Sequence, residues 1–280
     1  MKIRAAIIEG TNFLKIKNIS TAHLDSEILL SRAINKKREY ILLNYDNEID
    51  NKDLDLFRKL VKLRADRKPI AHITNKKFFW NSEFFVTEDT LIPRPDSELL
   101  VENILKLTKN KKRLNILDIG IGSGCLILSI LKERKDFFGT GIDISKKCLN
   151  ISKINAVNTH VNSRLKLYKS NVDKFIIGKY DLIVSNPPYI KKYKLKYLER
   201  DVIGFEPKLA LNGGLDGLSE IRKVIKKSSE LIKKGGKLVL EIGFDQRNKV
   251  ISLIKEKGFY INSITKDLAK NDRCIICTKI

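Results

Sequence analysis

The segment Asn186-Pro187-Pro188-Tyr189 stops an apolar run, Asp181-Leu182-Ile183-Val184-Ser185, and its residue types suit chemistry at a planar nitrogen. An amide or exocyclic amine nitrogen is a poor nucleophile because its lone pair is delocalised into the neighbouring π system. If the Asn186 side-chain oxygen and the Pro187 backbone carbonyl each accept one N–H, they hold that nitrogen. They also favour the positive charge that develops as it turns tetrahedral. Pro187 suits its position because its fixed φ aims the carbonyl without adding a competing donor. Tyr189 offers a ring to stack on the flat group and exclude water. No strong general base is needed, since the proton becomes acidic once the new N–C bond has formed. The competing reading is an ordinary turn, because Asn-Pro and Pro-Pro both mark loops.

A second segment supplies a ligand-binding turn. Asp118-Ile119-Gly120-Ile121-Gly122-Ser123-Gly124 ends one apolar run, and a helical pattern of Leu126, Ile127, Ile130 and Leu131 begins at once. Such a strand-to-helix turn lets a nucleotide-like ligand approach the backbone, with a helix N-terminus facing it. The next apolar run ends in Gly141-Ile142-Asp143, placing a carboxylate about 20 residues further on, where it can accept both hydroxyls of a ribose. A helix-capping role for Asp143 ahead of Ser145 is the plainer alternative. Taken together the two features fit an adenosyl ligand, and the Asn-Pro-Pro-Tyr segment is one that no nicotinamide enzyme needs.

These residues need elements to hold them. Short apolar runs at Leu114 to Ile119, Thr140 to Ile144, Leu165 to Tyr168, Tyr180 to Ser185 and Lys237 to Ile242 alternate with helical periods. That is the pattern of an α/β domain on a mainly parallel sheet. Two further runs, Tyr260 to Thr265 and Cys274 to Lys279, lack a helix between them and are expected to be antiparallel. Before this domain, Leu24, Ile28 and Leu29, then Leu54, Phe57, Leu60, Val61 and Leu63, recur at helical spacing. The predicted organisation is a helical domain over 1–77, a β-hairpin linker over 78–93 turning at Asn81-Ser82, and the α/β domain over 94–280.

Composition excludes some classes. No stretch approaches the roughly 20 apolar residues that cross a bilayer, and no secretory signal follows Met1, so a cytoplasmic chain is expected. Four cysteines are too few for a disulfide framework. Cys274 and Cys277, three apart in a strand-like run, are predicted to face opposite sides, which argues against a metal site. The net charge of +22 permits weak contact with RNA or the ribosome, but the lysines are spread along the whole chain.

With these segments the chain resembles the peptide chain release factor glutamine methyltransferases over nearly its whole length. The resemblance extends to Phe84-Phe85-Val86 with Leu91-Ile92-Pro93-Arg94-Pro95, to Phe205-Glu206-Pro207, to Gly213-Gly214-Leu215-Asp216-Gly217-Leu218 and to Leu238-Val239-Leu240-Glu241-Ile242-Gly243. It implies a Rossmann-like class I methyltransferase domain with a seven-stranded sheet. It also implies S-adenosyl-L-methionine as methyl donor, S-adenosyl-L-homocysteine as product, and a class I release factor as protein substrate, methylated by a monomer on the glutamine of its Gly-Gly-Gln motif. By position, Asp118, Gly120, Ile121, Gly122, Ser123, Gly124 and Asp143 match cofactor contacts, with Asn186 reaching both ligands. Asn186, Pro187, Pro188 and Tyr189 match the glutamine clamp. Asn171-Val172 stands where the family commonly has Asp and an aromatic, so the adenine loses stacking area there. Two other classes share part of the pattern: an amino-methyltransferase acting on adenine or guanine in RNA or DNA, and a binding protein without turnover.

Overall fold

In the computed structural model, which describes residues 1–280, the N-terminal apolar stripes fold as α1 (Ile3–Ile16), α2 (Ala22–Ala33), α3 (Arg38–Leu43), α4 (Asn51–Ala65) and α5 (Ile70–Thr74). Helix α4 starts where the Asp50 side chain accepts the Asp53 N–H at 2.7 Å, satisfying a first-turn donor. Its buried stripe is Leu54, Phe57, Val61 and Ala65. Ile3, Ile7 and Leu14 of α1 and Leu29 and Leu30 of α2 join the same core. Leu24 and Leu63, expected among the packing residues, are instead exposed. Leu63 lies two positions past Val61, off the three-and-four stripe that α4 turns inward.

Residues 1–76 form one compact unit together with 199–205, which contain α9 (Arg200–Phe205). The return of that late segment to the helical unit has no signature in the sequence pattern. Its anchor is Arg64, whose Nε donates to Asp25 Oδ2 at 2.7 Å and whose Nη1 donates to Asp201 Oδ2 at 2.6 Å. Arg64 and Asp25 are both buried. Arg64→Ala removes the guanidinium and leaves Asp25 with an uncompensated buried charge, so a loss of about 3–5 kcal/mol is expected. Urea unfolding followed by far-UV circular dichroism checks this, and an unchanged midpoint would contradict the assignment.

The second unit spans 77–198 and 206–280. It opens with the two-stranded sheet of β1 (Lys76–Phe79) and β2 (Ser82–Phe85). The turn falls at Trp80-Asn81, one residue earlier than expected, with Trp80 at φ 52°. Glu98 accepts the Trp80 backbone N–H at 2.8 Å, and Glu133 accepts its indole N–H at 3.0 Å, which holds the ring in this unusual conformation. The hairpin packs as part of the second unit.

Next come α6 (Glu98–Leu107), β3 (Asn115–Ile119), α7 (Cys125–Glu133), β4 (Phe138–Asp143), α8 (Lys146–Asn158), β5 (Leu165–Lys169) and β6 (Tyr180–Ser185). After α10 (Lys208–Leu211) and α11 (Ser219–Leu231) follow β7 (Ile232–Glu241), α12 (Arg247–Glu256), β8 (Phe259–Lys266) and β9 (Asp272–Lys279). The sheet order is β5-β4-β3-β6-β7-β9-β8, parallel except for β9, which is antiparallel to both β7 and β8. Strand β7 begins at Ile232, earlier than the apolar run showed, because Lys233, Lys234 and two glycines mask its start and its register against β6 shifts there.

Two cores sandwich the sheet. Ile116, Leu182, Val184 and Val239 face one side with Leu100 and Ile130, whereas Leu117, Ile183, Leu238 and Leu240 face the other with Ile221 and Val250. Burial on both faces explains why the central strands read as continuous apolar runs. Cys274 falls in the first core and Cys277 in the second, on opposite faces as their spacing requires. No helix is long and apolar enough to cross a membrane.

Candidate active site

Strand β3 sits between β4 and β6, the point at which the sheet order reverses direction. In open α/β sheets that reversal leaves a crevice beyond the carboxyl ends of the strands. Here those ends are Ile119, Asp143 and Ser185, and a cavity of about 630 Å³ opens beside them.

Gly120 carries φ +78°, and a side chain there would meet nothing within 4 Å, so the turn is open toward the cavity. Gly124, at φ +84°, is instead crowded: a Cβ would stand 2.7 Å from Leu128 Cδ1. Helix α8 steadies the turn, with Ser152 Oγ donating to the Gly122 carbonyl at 2.7 Å and Asn155 Nδ2 to the Ser123 carbonyl at 2.9 Å. Asp143 Oδ2 accepts the Gly122 N–H at 3.0 Å, and its Oδ1 accepts the Ser145 N–H at 2.8 Å. The helix cap itself is Ser145, whose Oγ accepts the Cys148 N–H. Asp143 thus ties the first two βα turns together and still lines the cavity. Burial raises its carboxyl above the usual range.

Asp118 lies under the turn, almost fully buried and outside the cavity wall, with neither oxygen hydrogen-bonded. Burial pushes its carboxyl up to about 7. The Ile127 amide lowers it only in part, approaching without completing a bond. An orphaned carboxylate below a turn open over Gly120, with a second carboxylate on the wall, fits a ligand that carries both a ribose and positive charge. Asn171 and Val172, the expected adenine-side pair, reach the cavity. The Asn171 Oδ1 also accepts the Asp173 N–H at 3.1 Å, which engages one lone pair of the acceptor that an adenine amine would use.

Asn186, Pro187 and Pro188 line the same cavity. Asn186 Nδ2 donates to Ser97 Oγ at 3.0 Å, and Ser97 Oγ donates to Glu241 Oε2 at 2.6 Å. Tyr189 does not line the cavity. Its ring packs on the core side of the sheet, and its hydroxyl donates to Glu241 Oε1 at 3.4 Å. The expected stacking role therefore has no support in its placement. Gln246 holds the backbone here, with Nε2 donating to the Tyr189 carbonyl at 3.1 Å and the Gly217 carbonyl at 2.9 Å.

Two segments noted separately in the sequence meet at the cavity mouth. Glu206 Oε2 accepts the Ile92 N–H at 3.0 Å and its Oε1 pairs with Arg94, which fixes Pro93 and Arg94 beside Pro207. Sequence reasoning assigned no role to Ser97, Glu206 or Glu241. For Glu241 a signal was present, a lone carboxylate ending the apolar run Leu238-Val239-Leu240.

Comparisons with known proteins agree with this geometry. The family model described as PrmC N-terminal domain matches residues 5–74, and that described as methyltransferase small domain matches 94–204. The chain is 35% identical to a release factor glutamine methyltransferase of Clostridium acetobutylicum, over all of this chain and 99% of that one. It is 36% identical to the protein of the same name from Clostridium botulinum, over the full length of both. Among solved structures, a methyltransferase from Pyrococcus furiosus superposes with a TM-score of 0.53 at 18% identity, covering 70% of this chain and 88% of that one, which supports the class I methyltransferase fold. With a crevice at the strand reversal, an acceptor-lined Gly-rich turn and full-length similarity to these relatives, the chain belongs to the release factor glutamine methyltransferase family.

Proposed function

We propose that this chain transfers a methyl group from S-adenosyl-L-methionine to the side-chain amide nitrogen of the glutamine in the Gly-Gly-Gln motif of class I peptide chain release factors, with S-adenosyl-L-homocysteine as product. The observation that carries this reading is the polarity of Asn186. Its Nδ2 is committed to Ser97, so Oδ1 is the atom left for an incoming N–H. When bound, S-adenosyl-L-methionine supplies an electrophilic methyl carbon on a sulfonium that departs as a neutral thioether.

The chain's own residues do the rest. Asn186 Oδ1 and the Pro187 carbonyl accept the two N–H groups of the glutamine amide and aim its lone pair at the methyl carbon. As the N–C bond forms and the C–S bond breaks, positive charge grows on the nitrogen, and these two dipoles stabilise it without reorganising. The nitrogen then releases one proton to solvent. Gly120, Ile121, Gly122, Ser123 and Gly124 cradle the donor, Asp143 accepts its ribose hydroxyls, Asp118 offsets its positive charge, and Asn171 and Val172 border the adenine. Pro188 walls the acceptor side. Residues 1–77 help to grip the release factor, the 78–93 hairpin braces the turn that follows, and 94–280 carry the chemistry. The protein acts in the cytoplasm as a monomer, and its basic surface gives at most weak RNA or ribosome contact.

The test is mass spectrometry of release factor incubated with the protein and S-adenosyl-L-methionine, with fragmentation to locate any added methyl. A methyl on the Gly-Gly-Gln glutamine is expected. Transfer to total RNA with none to the release factor would keep the chemistry and overturn the substrate.

A further inference from the structure

Ser97 and Glu241 come from opposite ends of the second unit's chain, yet both are buried behind Asn186, Ser97 at 2% and Glu241 at 1% exposure. A serine hydroxyl has a single proton. In this structure that proton points to Glu241 Oε2 at 2.6 Å, so Ser97 Oγ can meet Asn186 only as an acceptor, and it does so with Nδ2 at 3.0 Å. The other carboxylate oxygen takes the Tyr189 hydroxyl proton. Both neighbours therefore donate to Glu241, which is the arrangement a carboxylate enforces and a neutral acid or amide does not.

We infer that Glu241 is a positioning residue that sets the polarity of the Asn186 amide through Ser97, keeping Oδ1 and not Nδ2 turned to the reacting nitrogen. The inference rests on the amide-methylation reading and deepens it. If Glu241 became a donor, the Ser97 proton would turn to Asn186, and the carboxamide would lower its energy by rotating half a turn. It would then present N–H groups to a nitrogen whose developing charge is positive, so an attractive dipole would become a repulsive one at the reacting atom. The amide is itself uncharged, and its Nδ2 bond to Ser97 Oγ is the contact through which an orientation is selected.

The carboxylate sits among identifiable charges. Arg273 and Cys274 face it from β9, Asp96 from the turn before α6, Tyr189 from the segment after β6, and Cys125 from the start of α7. Arg273 is shared with Asp267 at 2.8 Å and Asp96 at 3.4 Å, so it compensates Glu241 only in part. Burial consequently pushes the Glu241 carboxyl up to about 7. A group with that value is protonated in mild acid and ionised above it, so turnover should rise through neutral pH as one proton leaves.

Three variants test this: Glu241→Gln, Ser97→Ala and Ser97→Thr, each assayed with release factor and with total RNA as methyl acceptors between pH 6 and 9. Glu241→Gln should lower kcat more than about tenfold, with KM and the dissociation constant for S-adenosyl-L-homocysteine changing less than about threefold. Its rate should also lose the rise near neutral pH. Ser97→Ala should fall likewise, and Ser97→Thr, which keeps the hydroxyl, should recover most of the parental rate. Side-chain ¹⁵N–¹H resonances of Asn186, assigned by their absence in Asn186→Ala, should titrate near neutral pH in the parent and not in Glu241→Gln. Parental kcat in both Glu241→Gln and Ser97→Ala would overturn the inference, as would Asn186 resonances that ignore Glu241. Methylation of RNA alone would overturn the substrate reading and leave the positioning role to be judged on RNA by the same ratios. If Glu241→Gln fails to fold, Ser97→Ala and the parental Asn186 titration still decide.

Discussion

Asn186→Ala is expected to lower kcat for methyl transfer by about 10²–10³-fold, the cost of losing one oriented dipole at a reacting centre. Stability should change by only about 1 kcal/mol, because Asn186 is only partly buried in the cavity wall and Ser97 keeps its bond to Glu241. Binding of S-adenosyl-L-homocysteine should weaken far less than the rate, by the loss of the one contact expected from Asn186, since the Gly-rich turn and Asp143 hang from β3, β4 and α8 and not from Asn186. Single-turnover rates, thermal melts and calorimetric titration separate these effects. Equal rates for variant and parent would refute the clamp, whereas joint loss of rate, binding and melting temperature would mark Asn186 as structural.

The second large effect concerns stability. In the folded chain the Asp118 carboxyl keeps its proton up to about 7, whereas in the unfolded chain it releases it near 3.8. Between those values the folded state holds one more proton than the unfolded state, so stability falls as pH rises through that window. Asp118→Asn removes the charge without changing shape. Its advantage over the parent should therefore grow by about 2–4 kcal/mol between pH 4.5 and pH 8, at 1.36 kcal/mol per unit and less whatever the protein relaxes. Glu241 titrates in the same direction and range, which is why the comparison is the difference between variant and parent and not the parental curve alone. Urea midpoints at the two pH values read it, and a gap that does not vary with pH would show that the folded carboxyl ionises as readily as the unfolded one, which would overturn the assignment. A residue that weakens the unliganded fold at working pH is retained where a cationic ligand compensates it, so the same variant should bind S-adenosyl-L-methionine more weakly than the parent.

What the sequence by itself determined is what depends on local pattern. Seven apolar runs became seven strands because strand burial on one or both faces is written in neighbouring residues, and the lack of a helical period between the last two made them antiparallel. The Gly120 to Gly124 turn was legible because its glycines answer a backbone requirement at their own positions. Asn186 was legible because two prolines end a buried strand abruptly there, which leaves a carboxamide at the carboxyl edge of the sheet, where α/β folds bind their ligands.

Tertiary structure decided everything that joins distant positions. Leu63 faces solvent because it lies two positions from both Val61 and Ala65, off the stripe that α4 turns inward. Residues 199–205 return to the helical unit through the Arg64 guanidinium, a pairing across 137 residues that no local pattern announces. Tyr189 turns away from the cavity because Glu241, at the end of the neighbouring β7, offers its hydroxyl a buried acceptor. Sequence also placed Asn186 without its orientation. Which end of a symmetric-looking carboxamide faces the substrate depends on where one serine proton points, and that is set by a carboxylate 144 residues away from Ser97 whose relation to it exists only once the sheet has formed.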